Sequence, residues 1–353
     1  MPIPSPTRPR RRALCAGLAL AAILLAPASA PAQDTAGKFY AGKTIQLLIG
    51  YSAGGGYDTY ARILARHMAD HIPGHPAIVP QNMPGAGSLR VVEYLYSVAP
   101  QDGTVIATFG RGLPMEPLLN PGTTHFDPAK LTWIGSITNE VSICAFRTDS
   151  GIHSWEDMQQ SKGFTVGGTG SGSDTDIFPL VLRNFFHLNL KLVTGYPGGN
   201  DVALALQRGE VNGRCGWSWS SLLSRDKSML DSKEIVVTLQ FALQKEPALP
   251  NVPLIMDVTK DPAEIAALKL IFSRLVMARP YAAPPGIPAD RRGALRAAFD
   301  ATMADPAFVE EAKSNDLEIQ PVKGAEVEAL VRELADSPPD VVALARQAIK
   351  AQP

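Results

Sequence analysis

The sequence predicts an α/β protein, and three observations carry that prediction. A short apolar run, a glycine-rich turn and an amphipathic helical pattern follow one another three times along the chain. The 353 residues suffice for a large buried core and for about two domains of ordinary size. Apolar residues make up 45% of the chain and charged residues 19%, a balance that excludes both a disordered acidic chain and a polytopic membrane protein.

The first element reads as an address. Arg8, Arg10, Arg11 and Arg12 precede an apolar run over residues 13–26, and small residues follow, ending Ala28, Ser29, Ala30, Pro31 and Ala32. This order is that of a secretory signal peptide over residues 1–32. Its apolar part is shorter than the ~20 residues a spanning helix needs. Cleavage is expected near Ala32 and Gln33, ordinary secretion is expected over the twin-arginine route that Arg11 and Arg12 also match, and the mature protein is expected in the periplasm.

Net charge is −1, and no acidic residue falls in the first 32 positions, whereas four basic residues do; the remainder therefore carries −5. Such a body lacks the positive field that binding a phosphate backbone requires, so nucleic acid is not an expected partner. Cys15 would leave with the leader. Cys144 and Cys215 lie in strand-like runs, where they form either one disulfide or two buried thiols.

The apolar run at residues 44–50 predicts the first strand. Ser52, Ala53, Gly54, Gly55 and Gly56 form the turn after it, and Tyr60, Ile63, Leu64, His67 and Met68 mark one face of a helix that Pro73 and Gly74 end. The pattern returns at residues 164–167, where a strand leads to Thr169, Gly170, Ser171, Gly172 and Ser173 and a helix carrying Ile177, Leu180 and Val181. It returns again at residues 191–194, followed by Tyr196, Pro197, Gly198 and Gly199 and a helix with Asn200 as the expected N-cap and Gly209 just past its end. Strands alternating with helices predict largely parallel sheets with these turns at one edge. After Pro280, two more amphipathic runs should pack back on the core.

Glycine turns before helices suit an anion, because main-chain N–H groups can approach it and the helix N-terminus adds partial positive charge. The nucleotide signatures fail on inspection. Gly55-Gly56-Tyr57 lacks the lysine of a phosphate-binding loop, and neither Gly168-Thr169-Gly170 nor Gly85-Ala86-Gly87 completes a dinucleotide pattern. Gly50-Tyr51-Ser52-Ala53-Gly54 does match a nucleophile elbow, which keeps a secreted serine hydrolase as the alternative reading; against it, the match falls on the first strand and the last histidine is His187. His67, His71 and His75 are spaced by four, but the intervening Pro73-Gly74 prevents a shared face, so no metal site is expected.

The ordered motifs resemble the receptors of tripartite tricarboxylate transporters, the Bug-type periplasmic solute-binding proteins. The residues that carry the resemblance are 43–49, Ala53 to Arg62, Gln81-Asn82-Met83-Pro84-Gly85-Ala86-Gly87-Ser88, Ala99 to Thr104, Gly170 to Ser173, Tyr196 to Gly199 and Leu206 to Val211. The resemblance implies a two-lobed Venus-flytrap fold of the type II-like arrangement, with residues 38–140 plus 270–353 in one lobe and 141–269 in the other. It further implies a receptor without enzymatic activity or cofactor, expected to be a monomer, that closes over a small organic carboxylate (a di- or tricarboxylate, an amino acid or an aromatic acid). The partner would be a membrane permease or, alternatively, a sensor.

Carried over residue by residue, the resemblance implies ligand contacts from Ser52, Ala53, Gly54, Gly55, Gly56, Tyr57 and Asp58, from Gly85, Ala86 and Gly87, from Thr169, Gly170, Ser171, Gly172 and Ser173, and from Tyr196, Pro197, Gly198 and Gly199; Tyr51 beside them is an aromatic candidate for the cleft, with core packing as its alternative. Such receptors hold the carboxylate mainly with backbone amides, hydroxyls and waters. Arg111 is the single cation expected to partner a carboxylate, and Trp217 is an aromatic candidate for the cleft wall, with core packing as its alternative. Two departures stand out: Tyr57 replaces a small hydroxyl residue, and Asp176 stands where histidine is common. Asp174 and Asp176 either favour the start of a helix or favour a zwitterion carrying an ammonium group.

Overall fold

The computed structural model describes residues 1–3 and 32–351, so residues 4–31 of the predicted leader lie outside the described residues. Among the described residues are eleven strands: β1 Thr44–Ile49, β2 Ala77–Asn82, β3 Val105–Thr108, β4 Thr132–Ser136, β5 Ser142–Arg147, β6 Phe164–Gly167, β7 Leu190–Val193, β8 Gly213–Ser218, β9 Ile235–Phe241, β10 Pro280–Ala283 and β11 Val322–Lys323. They form a six-stranded sheet of order β11-β4-β10-β3-β1-β2 and a five-stranded sheet of order β7-β6-β8-β5-β9.

The sheets are mixed, which corrects the expectation of largely parallel ones. β1 pairs in parallel with β2 and β3, but β10 runs antiparallel to both β3 and β4. In the second sheet β6 is parallel to β7 and β8, whereas β5 is antiparallel to β8 and β9. The cause is the path of the chain. It leaves the first sheet after β4, builds the second, and returns only to lay β10 into the first sheet in the reverse sense.

The two crossings lie side by side. Ala278 N donates to Thr138 O at 2.9 Å, Ile137 N to Arg279 O at 3.2 Å and Glu140 N to Leu275 O at 3.1 Å. One continuous apolar core runs from Ala107 and Trp133 in the first sheet to Phe146, Phe178 and Phe241 in and around the second.

The predicted stripe on the first long helix, Gly56–His71, is real: Tyr60, Ile63, Leu64 and Met68 are buried against β1, and His67 is partly covered. His67 and His71 do not converge on a metal. Nε2 of His67 meets Glu311 at 2.6 Å and that of His71 meets Asp305 at 3.0 Å, which ties the helix to Pro306–Ser314 and the residue that caps it.

Bonds from Arg66 and His67 hold the Glu311 carboxyl below the usual carboxylate range. A depressed folded-state pKa contributes stability above the unfolded value and loses it as pH falls through the folded one. Glu311→Gln is therefore expected to lower stability by roughly 0.2–1 kcal/mol at pH 7. The gap between the urea midpoints of the two proteins should shrink as pH falls through the depressed Glu311 value; a gap that does not shrink on acidification would refute the charge assignment.

Candidate functional site

The carboxyl ends of the parallel strands in both sheets feed the glycine turns, and these turns face one another across a cleft, where open α/β sheets bind ligands. β1 leads through residues 50–55 to the N-terminus of Gly56–His71. β6 leads through residues 168–173 to that of Asp174–Phe185, and β7 through residues 194–198 to that of Gly199–Gln207. Between them is a narrow cleft of about 60 Å³, partly open to solvent and smaller than an ordinary small-molecule site. Gly55, Gly56, Thr175 and Gly199 line it, so the first turns of three helices converge there. Aligned peptide dipoles make that convergence favourable to negative charge.

Tyr51 and Tyr57 form one wall, with ring centroids 4.8 Å apart. Burial raises the pKa of both phenols, which keeps them neutral. The Tyr57 hydroxyl accepts from Arg111 N at 3.1 Å and donates to Ala278 O at 3.3 Å, so the bulky residue is bolted to the second crossing.

Three buried guanidinium groups, Arg111, Arg214 and Arg279, and one buried carboxylate, Asp174, line this space, with Arg274, Glu116, Glu140 and Asp176 buried outside the lining. Arg111 donates through Nε to Asp174 at 2.5 Å, through Nη1 to Glu140 at 3.3 Å and through Nη2 to Ser142 Oγ at 2.6 Å. Burial opposes its charge, but Asp174, Tyr57 and Glu140 together hold its pKa above the ordinary value. Arg279 pairs with Glu140 at 2.9 Å, donates to Ser221 Oγ at 2.9 Å and covers the Tyr57 and Tyr60 rings. Arg274 lies 3.6 Å from the other oxygen of Asp174 and donates to Gly172 O at 3.2 Å.

Arg214 differs. It is 7% exposed, lies 4.4 Å over the Trp217 ring, and among the described residues has neither an ion pair nor a hydrogen bond; its Nε is a buried donor without an acceptor. Burial is the main influence that pushes its pKa down to about 10, so the group is still charged at neutral pH.

Of the candidate residues, Tyr51, Gly55, Gly56, Tyr57, Arg111, Thr169, Ser173 and Gly199 line the cleft. Others hold its walls together instead. Ser52 Oγ donates to Asp201 at 2.6 Å and contacts Asn200 at 3.0 Å, and Ser52 N donates to Pro197 O at 3.2 Å. Gly87 N donates to Thr169 O at 3.1 Å, joining the turn after β2 to the turn after β6. Asp58 accepts from Gly54 N at 2.8 Å and from Arg62 at 2.9 Å, a helix-capping role. Ala53, Gly54, Gly85, Ala86, Gly170, Ser171, Gly172, Tyr196, Pro197 and Gly198 fall in these turns but outside the lining. Trp217 is fully buried beneath Arg214 and outside the cleft lining.

Asn200 is not the N-cap. Gly198 takes that position, and the Asn200 side chain reaches Ser52 and Ala53 O across the cleft. Asp176 does not face the ligand space either; it accepts from Gly170 N at 2.9 Å, from Ser173 Oγ at 3.2 Å and from Thr194. The hydrolase reading finds no support, since the partners of Ser52 are Asn200 and Asp201 and no histidine lines the cleft. Cys144 and Cys215 are register partners on β5 and β8 and are bonded to each other.

Sequence reasoning missed Gly110, Asp174, Thr175, Arg214, Gly216, Ser218, Ser221 and Arg279 as lining residues. A usable signal existed for three of them: Arg214, Gly216 and Ser218 alternate with Cys215 and Trp217, the period of a strand with one polar and one packed face.

No family model matches the chain. A curated relative from Cupriavidus necator, described as a UPF0065 protein in the gbd 5′ region, is 40% identical over 115 residues; the match spans 33% of this chain and 33% of the relative's length. Among solved structures, the periplasmic binding protein BugD is similar with a TM-score of 0.70 and 20% identity, covering 87% of this chain and 97% of that one. MatC from Rhodopseudomonas palustris, solved with malate, has a TM-score of 0.68 at 17% identity over 87% and 99% of the two chains. A second R. palustris protein, solved with adipate, has a TM-score of 0.68 at 16% identity over 86% and 97%. The chain therefore has the two-lobed periplasmic-binding-protein fold, and the resemblance drawn from the motifs is borne out in that fold.

Proposed function

We propose that this protein is an exported solute-binding receptor without covalent chemistry, which captures a small organic carboxylate between its two lobes. The observation that carries the reading is the excess of positive charge on the cleft wall, where three buried guanidinium groups, Arg111, Arg214 and Arg279, stand with one buried carboxylate, Asp174, beneath three helix N-termini. Taking that surplus charge out of water is costly unless an anion completes it. The likeness to proteins solved with malate and with adipate supports the same class.

The lobes we assign are residues 38–140 plus 270–353 and residues 141–269, hinged at the paired crossings. A ligand that reaches both sets of donors favours the closed arrangement, because only there do the two sets meet. A periplasmic location after removal of residues 1–32, a monomeric state, and delivery to a membrane permease of the tripartite type belong to this proposal.

A thermal-shift panel of mono-, di- and tricarboxylates tests it. At 100 times its dissociation constant a binding acid contributes about 2.7 kcal/mol, which is a clear upward shift in melting temperature. A panel in which no carboxylate stabilises the protein, or in which a generic ester is turned over and Ser52→Ala abolishes the turnover, would overturn the reading.

A further inference from the structure

We propose that Arg214 sets the ligand class, its guanidinium taking one carboxylate of an organic acid that carries no ammonium group. The proposal rests on the receptor reading above and narrows it. Of the four buried arginines, Arg111, Arg274 and Arg279 all have a carboxylate within ion-pair distance, whereas among the described residues Arg214 has none that close and feels Asp226 only at longer range. It nonetheless lines the cleft, held by the Trp217 ring on one side. On the other side is Gly199, where an added Cβ would fall 2.2 Å from Nη2, so glycine is what lets the helix N-terminus and the guanidinium share one spot.

A planar, permanently charged donor fork beside free helical N–H groups matches a carboxylate, which can accept two parallel hydrogen bonds from it. For an ammonium group the cleft wall offers one carboxylate, Asp174, whose Oδ1 is buried without a hydrogen bond but already faces Arg274 at 3.6 Å. Asp174 already lies between Arg111 and Arg274, and Asp176 is engaged by Gly170 N, Ser173 and Thr194 outside the cleft lining. An amino acid would bring its ammonium into the combined field of Arg111, Arg214 and Arg279. The zwitterion that Asp174 and Asp176 suggested in the sequence is thus disfavoured.

Calorimetry with matched pairs decides the matter: succinate against aspartate, glutarate against glutamate, and phenylacetate against phenylglycine, on the wild type, R214M and R214K. In at least one pair the wild type should bind the acid and bind its amino counterpart at least about tenfold more weakly. R214M should weaken that acid about 100-fold, as expected for two lost charge-assisted hydrogen bonds, with R214K between the two because an ammonium cannot form the paired bonds.

The ligand-free R214M protein should melt no lower than the wild type, because an unpaired buried charge has been replaced by an apolar side chain of similar length. Unchanged affinity in R214M, equal affinity for an acid and its amino counterpart, or a clear loss of stability in ligand-free R214M would each overturn the proposal. A wild type that binds none of the acids sinks the receptor reading instead, a result distinct from binding that survives R214M.

Discussion

Arg111→Met is expected to lower the free energy of unfolding by about 3–5 kcal/mol, the cost of breaking a buried ion pair by removing one partner. Arg111 sits in the turn after β3, and its guanidinium bridges Asp174, at the start of the helix after β6, and Glu140, in the first crossing. The substitution leaves two desolvated carboxylates whose remaining cationic partners are Arg274 and Arg279 respectively. Urea unfolding measures the loss. The informative comparison is with R214M, since one substitution at two buried arginines of one cleft should lower stability at Arg111 and leave it unchanged or raise it at Arg214. Equal losses at both sites would mean that pairing does not distinguish them. Arg111 thus clasps turns of the two sheets while lining the cleft, and the carboxylate-partner role expected of it is the one we propose for Arg214.

That exchange shows where the sequence stops being legible. The β1 strand, its glycine turn and the stripe on Gly56–His71 are local patterns, and hydrophobic periodicity reads them directly. The pairing of Arg111 depends on residues 140 and 174, which are remote in the chain and meet only because both sheets present their carboxyl ends to the same space. No spacing rule could separate a satisfied guanidinium from an unsatisfied one. The antiparallel part of the first sheet was illegible for a related reason: β10 and β11 are four and two residues long, and their sense is set by how the chain returns rather than by their composition. The glycine turns were located correctly, but their roles divided. Some line the cleft, and the rest bring the walls into main-chain contact, a distinction that depends on the approach of two backbones and leaves no mark on either segment alone.

Gly170→Ala should therefore weaken binding of any acid found in the panel by about 100-fold while leaving the residues that line the cleft intact. Gly170 has φ +131°, and a Cβ there would lie 2.5 Å from Gly87 N and 2.8 Å from Ala86 C, so rigid main chain would have to move. The turn after β2 and the turn after β6 would then separate, breaking the Gly87 N to Thr169 O bond that joins them. A ligand whose donors come from both sides binds in proportion to the population in which those sides meet, so a closure made less favourable by about 2.7 kcal/mol lowers apparent affinity about 100-fold.

Gly151→Ala is the control: Gly151 has φ +76° but nothing within 4 Å of its Cβ position, so it carries backbone strain without obstruction. Small-angle scattering with saturating acid should give a larger radius of gyration for Gly170→Ala than for the wild type or Gly151→Ala. If Gly170→Ala closes and binds like the wild type, the contact between these two turns is incidental. If Gly151→Ala weakens binding as much, the loss comes from backbone strain and not from blocked approach of the lobes.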